Sequence, residues 1–247
     1  MEKILIDINA DVGEGIGNES QLMPFLSSCN IACGGHAGDI DSIKEVVVLA
    51  KKHNIKIGAH PSYPDKANFG RISMDLSPKE FEDTIQSQIA VLVSICETEK
   101  VQLNHIKPHG ALYNDLAWKE NLILQFLKVV EKYKSSCLLY VPYASVMERM
   151  AVEQNFKIKR EAFGDRNYNS DYSLVSRANA NAVIVEPYKV VEHLIAMIRY
   201  NHVNTISKEK IRMKADTFCI HGDTPNALQI LTYLSNELPK HNIFLNK

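Results

Sequence analysis

Residues 55–93 read IKIGAHPSYPDKANFGRISMDLSPKEFEDTIQSQIAVLV and contain one strand, one loop and one helix. The apolar run at 55–59 has the length of a buried strand. A polar loop follows, and Ser77, Pro78 and Glu80 then form a capping box with proline at the first helical position. The apolar residues of this helix recur at helical spacing, at Phe81, Ile85, Ile89 and Val93. The stretch therefore predicts a β-strand, a polar loop and an amphipathic helix, in that order.

The same unit recurs along the chain. Strand-length apolar runs lie at residues 4–8, 29–33, 55–59, 101–106, 137–141, 156–158 and 217–220. Helical patterns lie between most of them: one is capped by Asp39, one follows Ser77, and others lie near 119–132, 143–154, 189–200 and after Thr224. Such alternation predicts parallel strands joined by right-handed crossovers, in a doubly wound open sheet or a barrel. Seven repeats favour a seven-stranded parallel β/α barrel, with residues 165–186 and 202–214 as hairpins or loops outside the repeat.

Size and composition limit the class of protein. A chain of 247 residues can bury a full core, and residues 1–247 are predicted to form a single β/α-barrel catalytic domain. The 28 basic and 29 acidic residues give a net charge of -1, which argues against nucleic acid as a partner. The five cysteines cannot all pair, and most lie in apolar runs. Since no signal peptide or membrane span is evident either, we expect a cytoplasmic protein with no membrane contact.

Polar residues are concentrated directly after the predicted strands, where a parallel barrel or sheet places its active-site loops. They include Asn9, Asp11, Glu14, His36, Asp39, His60, Arg71, Lys107, His109, Tyr113, Asp165, His221 and Asp223. Each residue alone has a structural explanation, such as helix capping for Asp39 or Asp223. Unrelated structural needs would not collect His, Asp, Lys and Arg at the same end of six strands. The pattern therefore predicts an active site at the carboxyl ends of the strands.

Several sharper motifs are absent or weak. Residues 13–18 read GEGIGN and lack the final glycine of a dinucleotide fingerprint, and no Walker-type loop occurs. Cys29 and Cys33 share one face of a strand and are expected to be buried rather than to bind zinc. The histidines outside the strand-end loops are expected at the solvated surface, namely His53, His193, His202 and His241.

Two kinds of chemistry fit the strand-end residues. Asp11, His36, His60 and His109 would make a divalent-metal site, because hydrolases hold an open-site metal with carboxylates and imidazoles from separate strands. The alternative needs no metal. Asp11 or Glu14 would then act as general base, a histidine would carry protons, and Lys107 or Arg71 would neutralise charge on a substrate oxygen.

Five strings carry a family resemblance: DINADVGE at 7–14, NIACGGHAGD at 30–39, GAHPSYPD at 58–65, KPHGALYN at 107–114 and HGDT at 221–224. In this order they resemble the LamB/YcsF family, the A subunit of prokaryotic 5-oxoprolinase. The resemblance covers nearly the whole chain. It implies a TIM-like barrel of the glycoside hydrolase/deacetylase type.

The resemblance also implies a reaction. This is the ATP-dependent opening of the lactam 5-oxoproline (pyroglutamate) to L-glutamate, carried out with partner subunits B and C. ATP would be a cosubstrate, bound to this chain or to a partner. With this activity, the catalytic candidates are Asp11, Glu14, His36, His60, Lys107 and His109. The candidates for substrate binding are Asn9, Asp39, Arg71, Tyr113, Asp165, His221 and Asp223.

Two other functions remain open from the sequence alone. A metal-dependent N-deacetylase that acts without partners would need a bound divalent ion and would lose activity with a chelator. A non-catalytic protein that only binds 5-oxoproline would also use histidine, lysine and arginine in its site.

Overall fold

The computed structural model describes residues 2–247, and within this range seven parallel strands form a closed barrel in the order β10-β2-β3-β4-β5-β6-β7. The strands are β1 (Ile4–Ile6), β2 (Ile8–Val12), β3 (Ser28–Ala32), β4 (Lys56–His60), β5 (Leu103–Ile106), β6 (Leu138–Pro142), β7 (Ile158–Phe163), β8 (His202–Asn204), β9 (Lys210–Arg212), β10 (Thr217–Cys219) and β11 (Ile243–Leu245). Strand β10 closes the barrel by pairing in parallel with both β2 and β7. The predicted seven-stranded parallel β/α barrel is confirmed.

Helices surround the barrel. They are α1 (Glu19–Leu22), α2 (Ile40–Lys52), α3 (Pro78–Thr98), α4 (Gly110–Leu116), α5 (Glu120–Val130), α6 (Val146–Glu153), α7 (Pro187–Tyr200) and α8 (Ala227–Glu237). The capping signals in the sequence predict two helix starts correctly: Asp39 accepts a hydrogen bond from the Ser42 backbone N–H, and Ser77 accepts one from Glu80. The apolar stripes of these helices pack against the outer face of the strands in one continuous core. No helix within residues 2–247 is both long and apolar enough to cross a membrane.

The structure corrects the first and sixth predicted strands. The apolar run at the start of the chain forms β1, which pairs with β11 outside the barrel, and the barrel strand is the following segment, β2. Likewise β7 begins at Ile158 and ends at Phe163, whereas the sequence prediction stopped at residue 158. Both errors have one cause, because the polar residues of β2 and β7 resemble loop sequence although they lie in the barrel wall.

A network of polar side chains fills the barrel interior. Asn9 donates hydrogen bonds to Glu161 Oε1 (3.0 Å) and Thr217 Oγ1 (2.8 Å), and it accepts one from Asn30 (2.8 Å). His105 Nε2 lies 2.8 Å from Asn30 Oδ1, and its ring stacks on Tyr140. Buried polar groups that satisfy one another in this way fix side-chain positions. The network therefore forms a rigid floor beneath the carboxyl ends of the strands.

Elements outside the barrel repeat agree with the sequence in part. Strands β8 and β9 form an antiparallel hairpin within the region expected to hold hairpins or loops. All five cysteines are free and buried, which confirms the prediction for Cys29 and Cys33. The prediction for His193 is wrong, because this residue is half-buried and its buried Nε2 has no hydrogen-bond partner among the described residues.

Candidate active site

The carboxyl ends of the barrel strands open into a cavity of ≈ 530 Å³. Nine of the predicted site residues line it: Asp11, Glu14, His60, Arg71, Lys107, His109, Tyr113, His221 and Asp223. They come from β2, β4, β5 and β10, and from the loops and the helix that follow these strands. The predicted crowding of polar residues at one end of the barrel is therefore present in three dimensions.

Lys107 is the cation at the floor of this cavity. Its Nζ lies 2.9 Å from Asp11 Oδ1 and 2.9 Å from Glu161 Oε1, and the residue is only 2% exposed. Burial disfavours the charged amine, but the neighbouring anions, Asp11 first, outweigh it and raise the pKa of Lys107 well above its ordinary value. Burial also works against ionised Asp11, yet His60 and Lys107 hold the pKa of this carboxyl well below its ordinary value. The floor is thus an ionised lysine between two carboxylates.

Beside this floor lies a compact group of four residues, Glu14, His36, His60 and His109. We call this group the histidine cluster. Glu14 Oε1 lies 3.0 Å from His36 Nε2, 3.3 Å from His109 Nδ1 and 4.0 Å from His60 Nε2. His60 Nε2 and His109 Nδ1 are 3.0 Å apart, and the rings of His36 and His109 stack at 3.6 Å. The four residues offer ligand atoms within 4.8 Å of one another.

Backbone carbonyls orient two of these imidazoles. His60 Nδ1 lies 2.7 Å from the Lys107 carbonyl oxygen, and His109 Nε2 lies 3.0 Å from that of Phe69. A carbonyl oxygen only accepts, so these two nitrogens carry the protons. Whenever these rings are neutral, His60 Nε2 and His109 Nδ1 are the nitrogens without a proton.

Burial changes the protonation of the histidine cluster. Burial and the nearby carboxylate of Asp11 raise the pKa of Glu14 to about 7. Burial lowers the pKa of His36 to about 4. The cluster therefore contains a carboxyl group that exchanges protons near neutral pH, which is the property required of a general acid or base.

A fourth histidine, His221, lines the cavity next to Asp11. His221 follows β10, and its Nδ1 lies 3.0 Å from the carboxylate of Asp165, which also accepts hydrogen bonds from the His221 backbone N–H and from Thr224. Burial of Asp165 is outweighed by His221, so the pKa of this carboxyl is lowered. The carboxylate fixes the tautomer of His221 and leaves Nε2 as the nitrogen that can accept a proton.

The mouth of the cavity carries two arginines. Arg71 Nη2 lies 2.7 Å from Asp223 Oδ2, and Arg177 Nη1 lies 3.4 Å from the same oxygen. Both side chains are partly exposed. With Asp223 shared between them, the two guanidinium groups leave an excess of positive charge at the entrance.

Four predicted residues lie outside the cavity lining. Asn9 belongs to the barrel interior below Lys107, and it is fully buried. The carboxylate of Asp39 caps α2 at the surface and is not part of the cavity lining, so its role in substrate binding stays a prediction. His36 and Asp165 lie behind His109 and His221, and they act on the cavity through these residues.

The sequence prediction missed two residues of the site, Arg177 at the mouth and Glu161 at the floor. Glu161 lies in β7 with Phe163 on the same side of the strand, and both side chains line the cavity. Strand alternation from Phe163 would have identified it, had the polar segment been assigned to a strand.

The fold and the site together define a β/α barrel with an acid–base site at the carboxyl ends of its strands. The model of the LamB/YcsF family matches residues 6–247. The chain is 37% identical over 243 residues to the 5-oxoprolinase A subunit of Pyrococcus abyssi, covering 96% of this chain and 95% of that protein. It is 39% identical over 247 residues to the protein of the same name from Staphylococcus epidermidis, covering 98% of each.

A solved structure agrees with these relatives. The lactam utilization protein from Thermus thermophilus superimposes with a TM-score of 0.91 at 31% sequence identity, covering 98% of this chain and 99% of that one. The chain belongs to the LamB/YcsF family.

Proposed function

We propose that this chain is the A subunit of an ATP-dependent 5-oxoprolinase, which opens 5-oxoproline to L-glutamate together with subunits B and C. The observation that carries the proposal is the likeness, along almost the full length, to proteins named as the A subunit of 5-oxoprolinase. The likeness to a lactam utilization protein supports the same substrate class.

The chemistry of the substrate explains the need for ATP. A five-membered lactam is a resonance-stabilised amide whose cyclic form competes well with open glutamate, so coupling to ATP makes opening favourable. Phosphorylation of the lactam oxygen also makes the attached ring carbon a better electrophile for water. The cavity of ≈ 530 Å³ supports this proposal, since it has room for the lactam together with a phosphoryl group.

Charged residues bind the substrate in this proposal. Arg71 and Arg177 at the mouth hold the substrate carboxylate or a phosphorylated oxygen. Lys107 at the floor stabilises negative charge on the oxygen of the ring carbonyl. These contacts align the carbonyl carbon with water held by Asp11, the ionised carboxylate beside Lys107.

Proton transfers complete the reaction. Water adds to the ring carbonyl, and the proton that the water loses passes to Asp11 or to Glu14, whose pKa is about 7. The bond between carbonyl carbon and ring nitrogen then breaks, and a second water molecule releases the phosphoryl group of the resulting acyl phosphate as inorganic phosphate. His221, oriented by Asp165, supplies the proton that the departing nitrogen needs to become the amino group of glutamate.

The test measures glutamate release from 5-oxoproline and ATP. Three mixtures are compared: this chain alone, this chain with its B and C partners, and the partners without it. We expect turnover only when all three proteins are present. Equal glutamate release by the partners alone, or no release by any mixture, would contradict the proposal.

A further inference from the structure

The histidine cluster contains lone pairs that converge on one position. His60 Nε2 and His109 Nδ1 are unprotonated when both rings are neutral, because their other nitrogens donate to backbone carbonyls. These two nitrogens face each other at 3.0 Å, and no hydrogen lies between them in that state. Asp11 Oδ2 and Glu14 Oε1, both acceptors, lie 3.3 and 4.0 Å from the same His60 nitrogen. His60 Nε2, His109 Nδ1 and Glu14 Oε1 thus lie close to one another, with the Asp11 carboxylate beside them.

His36 adds an independent observation. Its Nε2 lies 3.0 Å from Glu14 Oε1, while its buried Nδ1 has no hydrogen-bond partner among the described residues. The residue is only 2% exposed. Neither neutral tautomer therefore satisfies both ring nitrogens, although buried polar groups are normally paired. An ion bound at Nε2 would fix the tautomer of His36 with its proton on Nδ1, and it would also satisfy the facing lone pairs of His60 and His109.

The distances within the cluster match those of a tetrahedral ion. Metal–ligand bonds of about 2.0–2.1 Å place neighbouring ligand atoms roughly 3.4 Å apart in a tetrahedron. Four separations between donor atoms of the cluster are 3.0, 3.0, 3.3 and 4.0 Å. These four separations are close to that spacing, and a movement of the Glu14 carboxylate toward His60 would shorten the longest of them.

We propose that Glu14, His36, His60 and His109 bind a divalent transition-metal ion of the zinc type. Three imidazole nitrogens and one carboxylate oxygen are the ligand types that such ions prefer. This set differs from the one that the sequence predicts, because Glu14 takes the place of Asp11. The Oδ1 atom of Asp11 accepts hydrogen bonds from Lys107 and Asn30, which hold this carboxylate at the floor. The binding of the ion does not depend on the proposed function.

The experiment uses the full chain without partners or substrate. Chelator-treated protein is titrated with Zn²⁺ by calorimetry and with Co²⁺ by visible absorption, which reports a nitrogen-rich tetrahedral site directly. We expect one equivalent of either ion to bind. His36→Asn and Glu14→Gln should each weaken binding by at least ~100-fold, since even the loss of an outer-shell partner costs 10–100-fold. His53→Asn, at the opposite end of the barrel, is the matched control and should bind as the wild type does.

Thermal unfolding separates loss of the site from loss of the fold. Zn²⁺ at 100 times its wild-type Kd should stabilise the wild type and His53→Asn by about 2.7 kcal/mol, and His36→Asn by about 0.4 kcal/mol or less. The absence of one-equivalent binding by the wild type would overturn the inference, as would equal affinities for His36→Asn and His53→Asn. Because these measurements need no turnover, metal binding without glutamate release would contradict the proposed function alone.

Discussion

The ion pair between Asp11 and Lys107 lies at the buried floor of the barrel, and both residues take part in the proposed reaction. Asp11→Asn preserves the shape of the side chain and removes its charge, while Glu161 still neutralises Lys107 at 2.9 Å. We therefore expect the variant to fold and the assembled complex to lose glutamate release by about 10²–10⁴-fold, the range for a group that acts in acid–base catalysis. Circular dichroism and the rate of glutamate release measure the two effects.

Asp41→Asn is the matched control, since Asp41 is exposed in the first turn of α2 and does not line the cavity. Its complex should turn over at the wild-type rate. If Asp11→Asn retained that rate as well, the chain would serve only to bind the substrate.

Gly58 is required by the packing of the barrel interior. A Cβ atom at this position would overlap the His105 ring, which is held between Tyr140 and Asn30 and cannot move away. We expect Gly58→Ala to lower the free energy of unfolding by about 1–3 kcal/mol, the usual cost of overpacking. Urea denaturation of Gly58→Ala, of His105→Ala and of the double variant tests the cause. The cost of Gly58→Ala should largely disappear in the His105→Ala background, and two additive losses would refute this contact as the reason.

The start of α2 allows a direct choice between two roles for Asp39. Its side chain caps the helix by accepting a hydrogen bond from the Ser42 N–H at 2.9 Å, and Ser42 Oγ accepts one from the Asp39 N–H. Asp39→Ala should therefore lower the free energy of unfolding by ~1 kcal/mol. The KM for 5-oxoproline in the assembled complex should not change. A raised KM with unchanged stability would support the substrate-binding role that the sequence suggested.

Helices with local signals were predictable from the sequence, and strands with polar interiors were not. The capping residues Asp39 and Ser77 act through neighbours three positions away, so their sequence context contains the whole interaction. The polar residues of β2 have their partners on other strands, and Asn9 meets Glu161 and Thr217 only when the barrel closes. Hydrophobic periodicity cannot report such partners.

The same difference between local signals and distant partners explains which cavity residues were predicted and which were not. Asp11, His60, Lys107 and His221 were predicted to lie together because each follows a predicted apolar run, and all four line the cavity. Glu161 was missed because its strand, IKREAF, is too polar to be recognised as buried. In the proposed ligand set Glu14 replaces Asp11, because Lys107 and Asn30 donate hydrogen bonds to Asp11. These contacts join different strands and are seen only in the folded chain.

Buried neutral histidines link the stability of the molecule to pH. Burial lowers the pKa of His105 to about 3 and that of His193 to about 4, while an unfolded histidine titrates near 6.5. Below pH ~6.5 the unfolded chain binds protons that the folded chain does not, so their contribution to stability is complete above this pH and declines as the pH falls. Glu14 opposes them, because its raised pKa of about 7 lets the folded state bind a proton first.

His193→Gln isolates one of these contributions at a residue of α7 that does not line the cavity. For one histidine the free energy of unfolding should fall by about 1.4 kcal/mol for each pH unit between its two pKa values. Urea denaturation at several pH values from 7.5 to 4.5 should therefore give a shallower acid slope for the variant than for the wild type, by about that amount. Parallel slopes for the two proteins would mean that His193 is protonated in the folded chain, and that its burial does not make the barrel sensitive to acid.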